Sequence, residues 1–281
     1  MSAKEIAAEV FLSDLGNRDL CGPFVDANDT LHVCLQNSAE IHSVSQTGQL
    51  KLVHSTQGQL SGGCCSADGT IYMADFAHTA VLKGGRDGEQ GMVVGEYEDR
   101  PLKGPHSVVV RNNGSEIVFT DSGPVGETGL HDPTGSLFVI KADMLIPISL
   151  GNLAYPTGVA TYGNFVYVCE QSMNRVLRFY QEPEGVYHGS VFYQSAGGVG
   201  PSCIAVDAQG SLYVGVYETS RAAAASSGKS SGSVLVLSDA GKLVSVITTE
   251  APEVTGLCVN AKGTTLYITE KSTGSVYQVA L

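Results

Sequence analysis

Residues 104–123, GPHSVVVRNNGSEIVFTDSG, read as an apolar strand, an Asn-Asn-Gly turn, a second apolar strand and an acidic exit. Asn and Gly accept the positive φ of a tight hairpin, so the two runs should pair antiparallel. The same grammar recurs in CGPFVDANDTLHV from Cys21, SGGCCSADGTIYM from Ser61, TGVATYGNFVYV from Thr157, SCIAVDAQGSLYV from Ser202 and TGLCVNAKGTTLYI from Thr255. Laid over one another, the six copies align Cys21, Ser61, His106, Thr157, Ser202 and Thr255, spaced roughly 40–50 residues apart, which is the period of four-stranded propeller blades.

Each hairpin is followed by a short third strand rich in β-branched and aliphatic residues: AEIHSV, TAVLKG, GSLFVI, NRVLRF, GSVLVL and GSVYQV. Fourth strands follow five of them, as QLKLVHS, QGMVVGEY, MLIPISL, GVYHGSVFY and KLVSVIT, but the sixth unit stops at VYQVAL. The missing strand is supplied by AAEVFLSDL near the N-terminus, which closes a radial array and hides its edges. The expected fold is therefore all-β, a six-bladed β-propeller of four-stranded blades over residues 1–281, closed by the N-terminal strand joining the last blade. Helical composition is confined to AAAASS near residue 223.

Composition sets the outer bounds. The 281 residues are 43% hydrophobic and 16% charged, enough for a chain of this length to bury roughly three quarters of its unfolded surface. Lys and Arg number 16 against 28 Asp and Glu, a net charge of −12, and no basic run tracks phosphates, which argues against nucleic acid and membrane surfaces as partners. MSAKEIAAEVF has no apolar h-region and no run is long enough to span a bilayer, so the expected location is cytoplasmic. Seven cysteines, mostly within apolar runs, read as reduced core thiols.

In a propeller the innermost strand of each blade starts at one mouth of the central channel and the second strand returns to it. The six aligned residues should ring that mouth, with Asp75, Asp121, Glu170 and Glu270 beside them at the ends of second strands. Two long loops, SGPVGETGLHDP after Asp121 and ETSRAAAASSGKSS after Tyr217, should overhang it. The carboxylates have a plainer reading, as turn caps, and the hydroxyls as water-bound strand ends. His106 differs in kind, since imidazole titrates, coordinates and transfers protons.

PTGVATYGNFVYVCEQSMNRVLRFY, GPSCIAVDAQGSLYVG and GPHSVVVRNNGSEIVFTDSG resemble the fourth, fifth and third blades of the gluconolactonase/regucalcin and strictosidine synthase-like propellers, a layout shared with NHL-repeat proteins. For the gluconolactonase and regucalcin branches the resemblance implies a divalent cation, usually calcium, held by a Glu of the first blade, Asn residues of the third and fourth and an Asp of the fifth. This chain has Cys21, His106, Thr157 and Ser202 at those positions, so the family's metal ligands are replaced and no metal or other cofactor is expected. Two ligands, Cys21 and His106, are fewer than a zinc site uses. The strictosidine synthase-like branch implies a catalytic Glu near the last blade, for which Glu270 is the nearest residue.

Three functions are consistent with this reading. The first is a binding or scaffold module holding a small molecule or protein at the mouth through Cys21, Ser61, His106, Thr157, Ser202 and Thr255. The second is a metal-independent enzyme, strictosidine synthase-like or a lactonase/esterase-type hydrolase, with acid or base chemistry drawn from Glu270, Glu170, Asp121 and His106. The third is nucleophilic hydrolysis by Cys21 with His106 as base, which requires the two side chains within hydrogen-bond reach.

Overall fold

Antiparallel hairpins need turns, and the sequence provides them in the expected places. Asp26 accepts the N–H groups of Asn28 and Thr30, each at 2.9 Å, and Asp207 those of Gln209 and Ser211 at the same distance. In the last blade Asn260 accepts from Thr264 at 2.8 Å and Thr265 at 3.0 Å. These side chains satisfy backbone donors that a reversing chain would otherwise leave unpaired. The computed structural model describes residues 3–13, 15, 19–85, 89–111, 114–196, 198–219 and 231–281.

Six blades result, each built outward from an innermost strand: Leu20–Val25, Leu60–Cys65, Pro105–Arg111, Pro156–Tyr162, Gly200–Val206 and Val254–Val259. The ring closes as the sequence indicated. Glu9–Leu12 pairs antiparallel with Ser275–Ala280, Glu9 opposite Gln278 and Val10 opposite Tyr277, as the outer strand of the sixth blade. The segment before it adds a pairing the repeat did not announce. Lys4–Ala7 runs parallel to Leu243–Thr249, with Lys4 opposite Ser245, and gives the fifth blade a fifth strand. One stretch of chain thus covers the outer edges of two neighbouring blades. The described helical turn is a single 3₁₀ turn, Gln171–Met173, and AAAASS lies outside the described residues.

The core fills the wedges between blades. Cys203, Tyr213, Val234 and Ile247 of the fifth blade pack on Val254, Leu257, Leu266, Ile268 and Tyr277 of the sixth, and the other wedges repeat the pattern. Phe119 and Phe138 stack with centroids 5.4 Å apart and are almost fully buried. All seven cysteines are free thiols; Cys21, Cys34, Cys169 and Cys203 are buried in the core, and Cys64, Cys65 and Cys258 are half-buried.

Near the axis the inner strands approach so closely that side chains cannot separate them. A Cβ on Gly158 would lie 2.7 Å from the Cys203 Cα, and one on Gly256 would lie 2.1 Å from Pro23 Cδ. Glycine is needed there for contact distance rather than for a turn. Each inner strand also breaks register where it starts. The ladder skips Ser61, His106, Ser202 and Thr255 individually, and Thr157 together with Gly158. In the first blade it skips Gly22 and Pro23, so Cys21 remains paired. Five of the six aligned residues therefore sit in β-bulges, which re-aim side chains and free them from the ladder.

Candidate functional site

The bulges turn the aligned side chains toward the neighbouring blade, and most of them bond there. Thr157 Oγ1 donates to the Pro201 carbonyl at 3.3 Å, Ser202 Oγ to Val254 at 2.9 Å, Thr255 Oγ1 to Leu20 at 2.6 Å and Cys21 Sγ to Leu60 at 3.5 Å. In each case the acceptor is the residue just before the next blade's aligned position. A run of inter-blade staples thus passes from the fourth blade through the fifth, sixth and first to the second. Short side chains with one rotatable donor suit this task.

The run is interrupted at Ser61 and His106. Among the described residues, the Ser61 hydroxyl and both His106 ring nitrogens have no hydrogen-bond partner, and His106 Nδ1 is sealed from solvent. Other groups bridge the third and fourth blades: Thr120 Oγ1 donates to the Thr157 carbonyl at 2.6 Å, and the Val159 N–H to Ser107 Oγ at 3.3 Å. Burial pulls the His106 pKa down to about 4, so its imidazole is neutral at physiological pH. The Tyr155 ring meets it edge-on, with centroids 6.1 Å apart.

Above the ring lies a cavity of about 500 Å³. Cys21, Ser61, His106, Ser202 and Thr255 form its floor, and Gln36, Tyr155, Gln171, Tyr217 and Lys271 contribute to its walls. Thr157 does not line it, being fully buried in its staple. The expected overhang is present for one of the two long loops, since Val125, Gly126 and Thr128 reach the cavity. Thr128 anchors that loop by donating to the Leu153 carbonyl and accepting the Thr134 N–H. Of the other long loop, Thr219 lines the cavity, and residues 220–230 lie outside the described residues. Sequence reasoning missed Tyr155, Tyr217 and Lys271. Tyr217 ends the fifth blade's second strand, the place that a carboxylate holds in four other blades, and Lys271 follows the end of the sixth blade's.

Those carboxylates do not line the opening, contrary to expectation. Asp75 accepts from the Thr56 hydroxyl and the Gln59 and His78 N–H groups, Asp121 from Lys103 and Gly104 N–H, and Glu170 from Ala154 N–H and Arg175 Nε. Glu270 accepts from Glu253 N–H and from the N–H and hydroxyl groups of Ser272 and Thr273. Each ties the segment leading into its own blade's innermost strand to the end of the second strand. All four are buried and fully engaged, which makes them loop clamps and removes Glu270, Glu170 and Asp121 from contact with anything in the cavity.

Two further chemistries fail on the geometry. Burial, with the Asp19 charge adding to it, pushes the Cys21 thiol up to about 12, and its proton is directed at a carbonyl rather than at His106. No thiolate forms there. Calcium requires six to eight hard oxygen donors and negative charge, whereas this floor offers a protonated thiol, an imidazole, the Ser61 hydroxyl and the Ser202 and Thr255 hydroxyls that already donate to carbonyls. The residues do not fit that ion. Among the described residues no three His, Cys, Asp or Glu side chains converge as a metal site, and no helix is long and apolar enough to cross a membrane.

A six-bladed propeller with this mouth is gluconolactonase-like in class. The chain belongs to the SMP-30/gluconolactonase/LRE-like family, whose sequence profile matches residues 21–272. Its backbone is similar to that of a gluconolactonase from Xanthomonas campestris, with a TM-score of 0.78 at 19% identity over 96% of this chain and 87% of the other. A calcium-binding regucalcin from Agrobacterium tumefaciens gives 0.77 at 14% identity over 99% and 95%, and a streptogramin B lyase 0.64 at 15% over 96% of each chain. At such identities the likeness shows the fold. No curated protein sequence matches significantly.

Proposed function

We propose that this chain binds a small molecule in the mouth cavity and does so without the calcium ion that the family resemblance implies. One observation carries the reading. The floor of a 500 Å³ cavity holds a neutral His106, whose accessible Nε2 has no partner, beside an unpartnered Ser61 hydroxyl, polar groups that a ligand would satisfy. The volume suits a small organic molecule, and the wall residues Val125, Tyr155 and Tyr217 supply apolar surface for its body.

The second reading is a metal-independent enzyme using the same cavity, favoured by family membership and by the gluconolactonase among the structural neighbours. His106 is then its general base, a weak one at a pKa of about 4. Fragment screening by thermal shift and NMR, together with turnover assays on a lactone and ester panel, separates the two. The binding reading expects fragments that His106→Ala weakens and that are not turned over. Turnover abolished by His106→Ala would establish the enzyme instead, and fragments that bind His106→Ala undiminished would move the site elsewhere.

A further inference from the structure

The mouth cavity has a charge asymmetry that the reading above does not use, and the inference drawn from it rests on that reading. In a chain of net charge −12, the one formally charged side chain lining the cavity, among the described residues, is a cation, Lys271. Its backbone is held in place: the Lys271 N–H donates to the Glu253 carbonyl, and Glu270 clamps the two residues that follow. The side chain is half-buried, with Nζ 5.5 Å from the centroid of the Tyr217 ring.

No carboxylate among the described residues lies within 4 Å of that ammonium. Glu253, whose charge acts on Lys271, accepts the Tyr217 hydroxyl at 3.2 Å. Burial works against the charge, but Tyr217, Glu253 and Asp19 outweigh it and hold the Lys271 pKa above its ordinary value. The result is an ammonium that stays charged and has no carboxylate in direct contact, so its N–H groups are available to an incoming anion as charge-assisted donors.

Lys271 belongs to the sixth blade and His106 to the third, which stand opposite each other in a six-bladed ring. A ligand spanning the mouth therefore meets an ammonium on one side and an uncharged imidazole, with the Ser61 and Tyr155 hydroxyls, on the other. The Tyr155 hydroxyl also lacks a partner among the described residues. From this arrangement we infer that the ligand is a small organic monoanion, its carboxylate on Lys271 and a neutral hydrogen-bonding end on His106 and Ser61. One cation compensates one charge, and the acidic remainder of the molecule disfavours polyanions.

The test is a panel of small carboxylic acids, each matched with its primary amide, screened by saturation-transfer NMR at low ionic strength against the wild type, Lys271→Met, Lys271→Arg and Val199→Trp. Acids should bind at least about tenfold more tightly than their amides, consistent with a charge-assisted contact. Lys271→Met should abolish the preference, Lys271→Arg should retain it, and Val199→Trp, at the cavity wall, should weaken every member. Acids and amides binding equally, a preference that survives Lys271→Met, or a panel in which no acid binds would each overturn the inference. If only the preference is missing while Val199→Trp still weakens binding, the mouth reading stands. Binding indifferent to Val199→Trp and Lys271→Met alike would overturn both.

Discussion

Acid should destabilise this protein through His106 in a measurable way. The imidazole titrates at about 4 in the folded chain against 6.5 ordinarily, because burial penalises its charged form. The unfolded chain therefore takes up the proton first, so the stability linked to His106 is complete above pH 6.5 and is lost as the pH falls toward 4. A difference of 2.5 pKa units corresponds to about 3 kcal/mol at 1.36 kcal/mol per unit. That is an upper bound, since the residue is partly exposed to the cavity and hydration there lessens the penalty. At pH 5 the expected loss is about 1–2 kcal/mol. His106→Gln keeps a polar side chain that does not titrate, while every other group contributes equally to both proteins. Urea denaturation of both at pH 7 and pH 5 isolates the effect: the wild type should lose about 1–2 kcal/mol more than the variant. Equal losses would refute a largely desolvated, neutral histidine at this position.

Deleting residues 1–12 removes the strands Lys4–Ala7 and Glu9–Leu12 from two blades and should cause aggregation or a large fall in Tm; a truncated chain melting with the full-length protein would show that neither pairing supports the ring. Calcium at millimolar concentration should leave Tm unchanged, and a clear rise would show that the floor binds the ion after all. Glu270→Ala orphans five donors around a fully buried carboxylate and should cost about 3–5 kcal/mol in chemical denaturation, whereas a wild-type Tm would reopen its candidacy as a reacting group.

The fold was legible because a propeller repeats its chemistry. Six turn-forming hairpins and a missing last strand leave few other closures, and Glu9–Leu12 pairs where AAEVFLSDL placed it. Lys4–Ala7 was not legible, since a lone parallel strand on an outer edge has no repeat to reveal it. At the site, the aligned residues were recognised, and the inter-blade bonds that four of them make were not. Whether Thr255 faces a ligand or donates to Leu20 depends on a bulge and on the distance between blades, both tertiary quantities. One local signal did exist: glycine follows Cys21, Ser61, Thr157 and Thr255 but neither His106 nor Ser202, a sign of close strand approach at four junctions. The carboxylates carried two readings because the same residue types serve clamps and catalysis, and their partners favour the turn-capping one.

Four of the six aligned positions show what the ring favours for stability, a short side chain donating to the carbonyl ahead of the next blade's aligned residue. His106 forgoes that bond and leaves both ring nitrogens without a partner, Nδ1 buried and Nε2 open to the cavity where a ligand can use it. Replacing it should therefore separate stability from binding. His106→Thr places at the third blade the hydroxyl that Thr157 uses at the fourth, and with the staple restored and the unpaired nitrogen removed it should stabilise the fold by about 0.5–1.5 kcal/mol. The same substitution deletes the neutral half of the ligand site, so carboxylic acid fragments should bind it more weakly while still preferring it to Lys271→Met. A His106→Thr protein that is less stable than the wild type would mean that the imidazole is itself part of the packing between the third and fourth blades. One that is more stable yet binds as tightly would leave the histidine without the role assigned to it.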